Sequence, residues 1–163
     1  IVPGLEGARA FLLEIQALVT PTAFSTPSRR STGLDQNRLA LLLAVLEKRV
    51  GYQLHHCDVF VAIAGGLKIV EPAIDLGILL AIASSFANRF LPSDLVVLGE
   101  VGLGGEVRGV CRIETRLKEA IHMGFQKCIL PKRNLKGLSS SLTGKIELIG
   151  IDLVDEAIQR VLA

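Results

Sequence analysis

A fold of the α+β or mixed α/β class, built on a mixed sheet, follows from three features of this 163-residue chain. Strand-like and helix-like segments alternate without internal repeats, a pattern that packs helices against a sheet. Half of the residues are hydrophobic but only 4% are aromatic, so the core must be aliphatic and tightly layered. Leu95 to Leu98 is short and wholly apolar, as in strands buried on both faces. The length suits one domain spanning 1–163, with enough chain to bury a full core. Because it opens on Ile1-Val2-Pro3-Gly4 without an initiator Met, the chain is expected to be a fragment of a longer protein.

Taken in order, Ala10 to Val19 alternates, with Leu13, Ile15, Ala17 and Val19 on one side, and predicts a half-buried strand. Pro21 to Gly33 reads as a long polar loop, a length that usually marks function or disorder. Asp35 can cap a helix to about Val50, where Lys48 and Arg49 complement the dipole and Gly51 ends it. Asp58 to Ala64 is a strand, Gly65-Gly66 a turn, and Leu67 to Val70 a candidate return strand. A buried helix from Ile74 to Phe90 follows, closed by Leu91-Pro92. After Leu95 to Leu98, Gly99 to Val107 reads as a strand and a tight glycine hairpin. Ile113 to Met123 is helical, Lys127 to Leu130 and Lys145 to Ile149 are strands, and Asp152 to Leu162 is a closing helix.

Several function classes are disfavoured. The apolar run from Ile74 to Phe90 is interrupted by Asp75, Asn88 and Arg89 and falls short of the roughly 20 residues of a membrane span, so no membrane is expected. Three cysteines without paired spacing, Cys57, Cys111 and Cys128, fit a reducing compartment and lack the Cys-x-x-Cys pairs of a zinc site. His55-His56-Cys57 places its ligands on opposite faces of an extended segment, and His122 stands alone, so no metal is expected. Thr143-Gly144-Lys145 lacks the upstream glycine of a phosphate loop, and Gly99 to Gly105 lacks the G-x-G-x-x-G spacing. The net charge of +2 is mild, but cations are clustered: Gln126 to Lys145 holds five and no acid, and Pro21 to Gly33 holds Arg29 and Arg30 with none.

Between Asp58 and Lys132 the chain resembles the Lon-type serine protease domain. The stretch Gly124-Phe125-Gln126-Lys127-Cys128-Ile129-Leu130-Pro131-Lys132 and the pair Gly99-Glu100 carry that likeness. Where Lon proteases have the serine of a Gly-Pro-Ser-Ala-Gly run, this chain has Glu71-Pro72-Ala73-Ile74-Asp75. The position of the partner lysine, ten residues before Gly124, is Glu114. A methyl group cannot attack a carbonyl and an acid cannot replace the lysine, so no catalytic residue is expected. Asp75 has two readings, a buried carboxylate in a vacated site or a first-turn acid favoured by the helix dipole, and the second is preferred.

The fuller set of motifs is Glu6-Gly7-x-Arg9, Leu13-Glu14-Ile15-Gln16-Ala17-Leu18-Val19, Thr32-Gly33-Leu34-Asp35-x-Asn37-Arg38-Leu39, Ala44-Val45-Leu46-Glu47-Lys48-Arg49 and Glu71-Pro72-Ala73-x-Asp75-Leu76. With Gly99-Glu100-Val101-Gly102-Leu103-x-Gly105-Glu106-Val107-Arg108 they are similar to the C-terminal Lon-like domain of the RadA (Sms) family of DNA repair proteins, over nearly the whole chain. The resemblance implies a ribosomal protein S5 domain 2-like fold and self-association into a ring, a hexamer being the candidate state. It also implies a parent chain that is an ATP-dependent DNA repair motor, with an N-terminal zinc finger and a RecA-like ATPase. ATP, Mg and Zn are expected only in those other domains, and no cofactor in this chain. Bacterial cytoplasm or an organelle, plastid or mitochondrion, is the expected compartment. The chain itself is expected to be a non-catalytic scaffold offering sequence-independent contacts to DNA. Arg29, Arg30, Lys132, Arg133 and Lys136 are the candidate phosphate ligands. The alternatives are an active Lon-like peptidase with an unrecognised dyad, for which Ser84 and Ser85 lie too far along their helix, and an oligomerisation module without DNA contact.

Overall fold

The computed structural model describes residues 1–162 and has the expected α+β class, with one mixed sheet and one parallel sheet around a central helix. Strands β1 (Val2–Glu6) and β2 (Arg9–Leu13) form an antiparallel hairpin in which Val2 faces Leu13 and Glu6 faces Arg9. Strand β3 (Ile15–Pro21) belongs to a different sheet, so the single strand expected over Ala10 to Val19 is two. The break falls at Glu14, whose carbonyl turns aside to accept the Ala64 N–H at 2.9 Å.

Within the segment expected to be a loop lies β4 (Arg29–Thr32), parallel to β5 (Cys57–Ile63), which pairs antiparallel with β3 on its other side. Helix α1 (Gln36–Val45) starts after Asp35 and runs on as wider π-type turns over Leu46–Val50. Gly51 ends it at a φ of 87°, the left-handed conformation that a glycine adopts without steric cost. Leu67 to Val70 is extended but is no strand of any sheet, because Gly65 and Gly66, at φ 84° and 71°, turn the chain away from β5.

A 3-10 turn at Pro72–Ile74 leads into α2 (Asp75–Ala87). This helix is buried almost all round, with every residue from Asp75 to Leu80 inside, as an apolar helix at the centre of a fold must be. Each Leu or Ile buried there contributes about 1.5–3 kcal/mol. Gly77 has no room for a Cβ, which would collide with Val2, so its bareness lets β1 approach α2. The helix ends at Ala87, short of the expected Phe90, because Asn88 turns left-handed at φ 52°.

Strand β6 (Leu95–Val97) is buried throughout, and β7 (Glu100–Val101) with β8 (Val107–Arg108) forms the expected hairpin. Helix α3 (Ile113–His122) leads to β9 (Lys127–Pro131), which lies between β6 and β10 (Glu147–Ile151) in the parallel sheet. The last strand starts two residues later than expected, since the Lys145 N–H still closes the short helix α4 (Ser140–Thr143) on Leu142. Helix α5 (Val154–Leu162) covers one side of α2. Among the described residues no helix is long and apolar enough to cross a membrane.

Candidate functional site

Two places matter: the head of α2, where the resemblance puts a protease dyad, and the cationic outer surface. At the head of α2, Ala73 is 4% exposed, and its carbonyl accepts the Gly99 N–H at 3.1 Å. Glu114 begins α3, and its carboxylate accepts the Ser139 N–H at 2.8 Å, a local tie that holds the chain leading into α4. Ser84 and Ser85 are both engaged: Ser84 Oγ donates to the Arg89 carbonyl, and Ser85 Oγ accepts the Val19 N–H at 2.9 Å.

The carboxylates on either side of Ala73 are held by arginines that composition alone does not single out. Arg116, with no exposed surface, is ion-paired to Glu71. It also donates through Nη1 to the Pro3 carbonyl at 3.0 Å and through Nε to the Cys111 carbonyl at 2.8 Å. The other Glu71 oxygen accepts the Leu5 N–H at 3.1 Å, so one ion pair joins β1, the turn before α2 and α3.

Asp75 is 1% exposed and takes two hydrogen bonds from the Arg38 guanidinium and a third from the Val101 N–H at 3.0 Å. The preferred reading of Asp75 as a plain first-turn acid is therefore corrected: it is a buried, paired carboxylate. Burial pushes the Asp75 carboxyl above its usual range, while Arg38 and the Val101 N–H pull it back. The signal for both arginines lay in the sequence, in Asp35-x-Asn37-Arg38 and in the helical position of Arg116, but no local pattern says which carboxylate each meets.

The predicted DNA-contact residues divide. Arg29 is no free loop cation: it lies on β4, half-buried, donates to the Leu54 carbonyl at 2.9 Å and faces Glu47 at 3.8 Å. Arg30 points to the other face, exposed, beside Phe60 and Leu18 on the outer side of the mixed sheet. Lys132 and Arg133 stand on a 3-10 turn, Lys132–Leu135, rather than in a loop, and Lys136 follows it, exposed. Lys132 is paired with Asp152 at 3.3 Å, an acid that lies beyond the acid-free stretch in sequence and returns to it in space. Arg133 lines a polar basin of about 710 Å³ with Arg108, Glu100 and Asn134, and Asn134 bridges the Val110 N–H and carbonyl at 2.8 and 3.0 Å. Arg30 and Arg133 thus sit in separate depressions, and Arg108, a basin cation that the sequence pattern does not single out, is paired with Glu106 at 3.1 Å.

The chain belongs to the family described as subunit ChlI of Mg-chelatase, whose model matches residues 36–134, from the start of α1 to the basin residues. At closer range it is similar to proteins named DNA repair protein RadA. The one from Chlamydia muridarum is 47% identical over 159 residues, 98% of this chain and 35% of that protein. The one from Bacillus subtilis is 51% identical over 160 residues, 98% of this chain and 34% of that protein, and the one from Streptococcus pneumoniae is 46% identical over 163 residues, 100% and 38%. The chain spans about a third of the length of the curated relatives it matches.

Proposed function

We propose that this chain is a non-catalytic, Lon-like module of a DNA repair protein, which self-associates and offers cations to the backbone of duplex DNA. The observation that carries the reading is the head of α2. At the place of a nucleophile there is a buried methyl group, Ala73, flanked by two carboxylates, Glu71 and Asp75, each committed to an arginine. A peptidase needs an exposed nucleophile within reach of a base, and these residues spend their polar groups on holding the helix in place. The likeness to DNA repair proteins supports a role beside DNA, and the exposed Arg30 and Arg133 supply charge for it.

Such contacts read phosphates and carry no sequence information. Aromatic stacking on single strands is disfavoured, since Phe60 is the only ring beside Arg30 in its groove. The test is duplex binding by the wild type and by Arg30→Glu with Arg133→Glu, across several salt concentrations. The double variant should bind every sequence more weakly, and the slope of log affinity against log salt should flatten by roughly 0.9 for each phosphate deprived of its cation. Unchanged affinity and slope would remove these arginines from the interface. Casein turnover that survives purification and yields to a serine-directed inhibitor would overturn the non-catalytic reading.

A further inference from the structure

Two exposed apolar features lie at opposite ends of α2. Phe90, just past its C-terminal end, is 97% exposed. Val70, just before its N-terminal end, is 88% exposed and stands on the rim of a cleft of about 350 Å³. Its walls are Leu34, Ile69, Pro72 and Ile74, and its polar surface includes the Arg38 guanidinium held by Asp75.

Phe90 is presented on a braced turn. Asn88 caps α2 in the left-handed conformation, the Arg89 N–H returns to the Ser84 carbonyl at 3.1 Å, and the Arg89 guanidinium donates to the Leu162 carbonyl at 3.0 Å. The backbone that carries Phe90 is thus held in place, so docking has to order only the two side-chain torsions of the ring. The cleft fits such a ring: it is mostly apolar and large enough for a phenyl group, with Arg38, paired to Asp75, lining it beside Asp35 and Glu71. Phe90 cannot fill the cleft of its own chain, because the 13 residues of α2 hold the two ends roughly 20 Å apart.

We infer that Phe90 of one copy seats in the Leu34, Ile69, Pro72 and Ile74 cleft of the next, giving a head-to-tail contact along α2. Val70 of the receiving copy then covers the groove beside Phe90, which is lined by Ile15, Ala17 and Leu91. Each copy offers one knob and one cleft, so the contact is heterologous and propagates into a closed ring or an open filament. This rests on the self-association proposed above and names the surfaces that would carry it.

Sedimentation velocity over a concentration series separates the two ideas. Wild type should assemble, while Phe90→Asp and Val70→Asp should each weaken self-association by about thirtyfold or more. Both should keep the wild-type melting temperature, since both side chains are already in solvent. An equimolar mixture of the two variants retains one intact knob and one intact cleft and should form dimers that grow no further. Assembly of either variant like wild type, or a mixture that stays monomeric while wild type assembles, overturns the Phe90 contact and leaves self-association standing. A wild type that stays monomeric at every concentration overturns both.

Discussion

Arg116 and Arg30 carry the same side chain in opposite surroundings. Arg116 has no exposed surface and meets Glu71 and the Pro3 and Cys111 carbonyls, while Arg30 stands in solvent on the outer face of the mixed sheet. Removing a buried charge leaves its partner unpaired in a poor solvent, whereas removing an exposed one leaves water in its place. The first arginine therefore belongs to stability and the second is free for a ligand. Arg29 and Arg30, adjacent in sequence, fall on opposite sides of that divide because neighbouring residues of a strand face opposite ways.

The contrast is most sharply tested by Arg116→Met, which should cost about 3–5 kcal/mol in denaturant unfolding. Adding Glu71→Gln should recover part of that loss and no more, because the Pro3 and Cys111 carbonyls stay unpaired. Arg29→Glu comes next, at about 1–3 kcal/mol, since the new carboxylate would face Glu47 and leave the Leu54 carbonyl without its donor. Arg30→Glu beside it should leave the melting temperature unchanged, and equal losses for the two would erase the divide.

Asp75→Asn should be milder than Arg116→Met, below about 2 kcal/mol, because burial already opposes the charge of Asp75 and an amide oxygen can still accept the Val101 N–H. The raised pKa means that the fold takes up this proton before the unfolded chain does. The stability of the wild type relative to Asp75→Asn should then fall as pH rises from the ordinary carboxylate value through the raised one, and a melt series over pH measures it. The smallest effect concerns cysteines, where the same contrast recurs. Cys111 is exposed, whereas Cys128 is fully buried with its thiol pushed up by desolvation. A thiol reagent should modify Cys111 in the native protein and reach Cys128 only on unfolding, with a small loss of stability on modifying the first, whose sulfur accepts from Arg116 Nη2 at 3.5 Å.

Elements with a strong local signature were legible from sequence: the helix closed by Gly51, the apolar helix α2, the buried strand at Leu95 and the glycine hairpin after it. What escaped depends on partners far along the chain. The short β4 is a strand only because β5 offers its edge, and β1 is held by β2 and by Arg116, contacts that no window of neighbouring residues displays. At the head of α2 the apolar Ala73 between Glu71 and Asp75 could be read directly. The pairing of Asp75 with Arg38 and of Glu71 with Arg116 could not, because sequence spacing does not fix which charges meet. Lys132 and Arg29 looked unopposed for the same reason, their acids arriving from other elements.

The bond from Arg116 to the Pro3 carbonyl spans 113 residues, and it bears on how the chain reaches its native state. The central strand β9 lies between β6 and β10, so the parallel sheet cannot close until the last quarter of the chain is present. Contacts of such long reach slow the search for the native state. During synthesis from the N-terminal end the first hairpin emerges long before its arginine, with the Leu5 N–H and the Pro3 carbonyl open to any other donor or acceptor. Truncations that stop before Arg116 should therefore be prone to aggregate, and refolding of the whole chain should register late at β1, at the rate at which α3 docks.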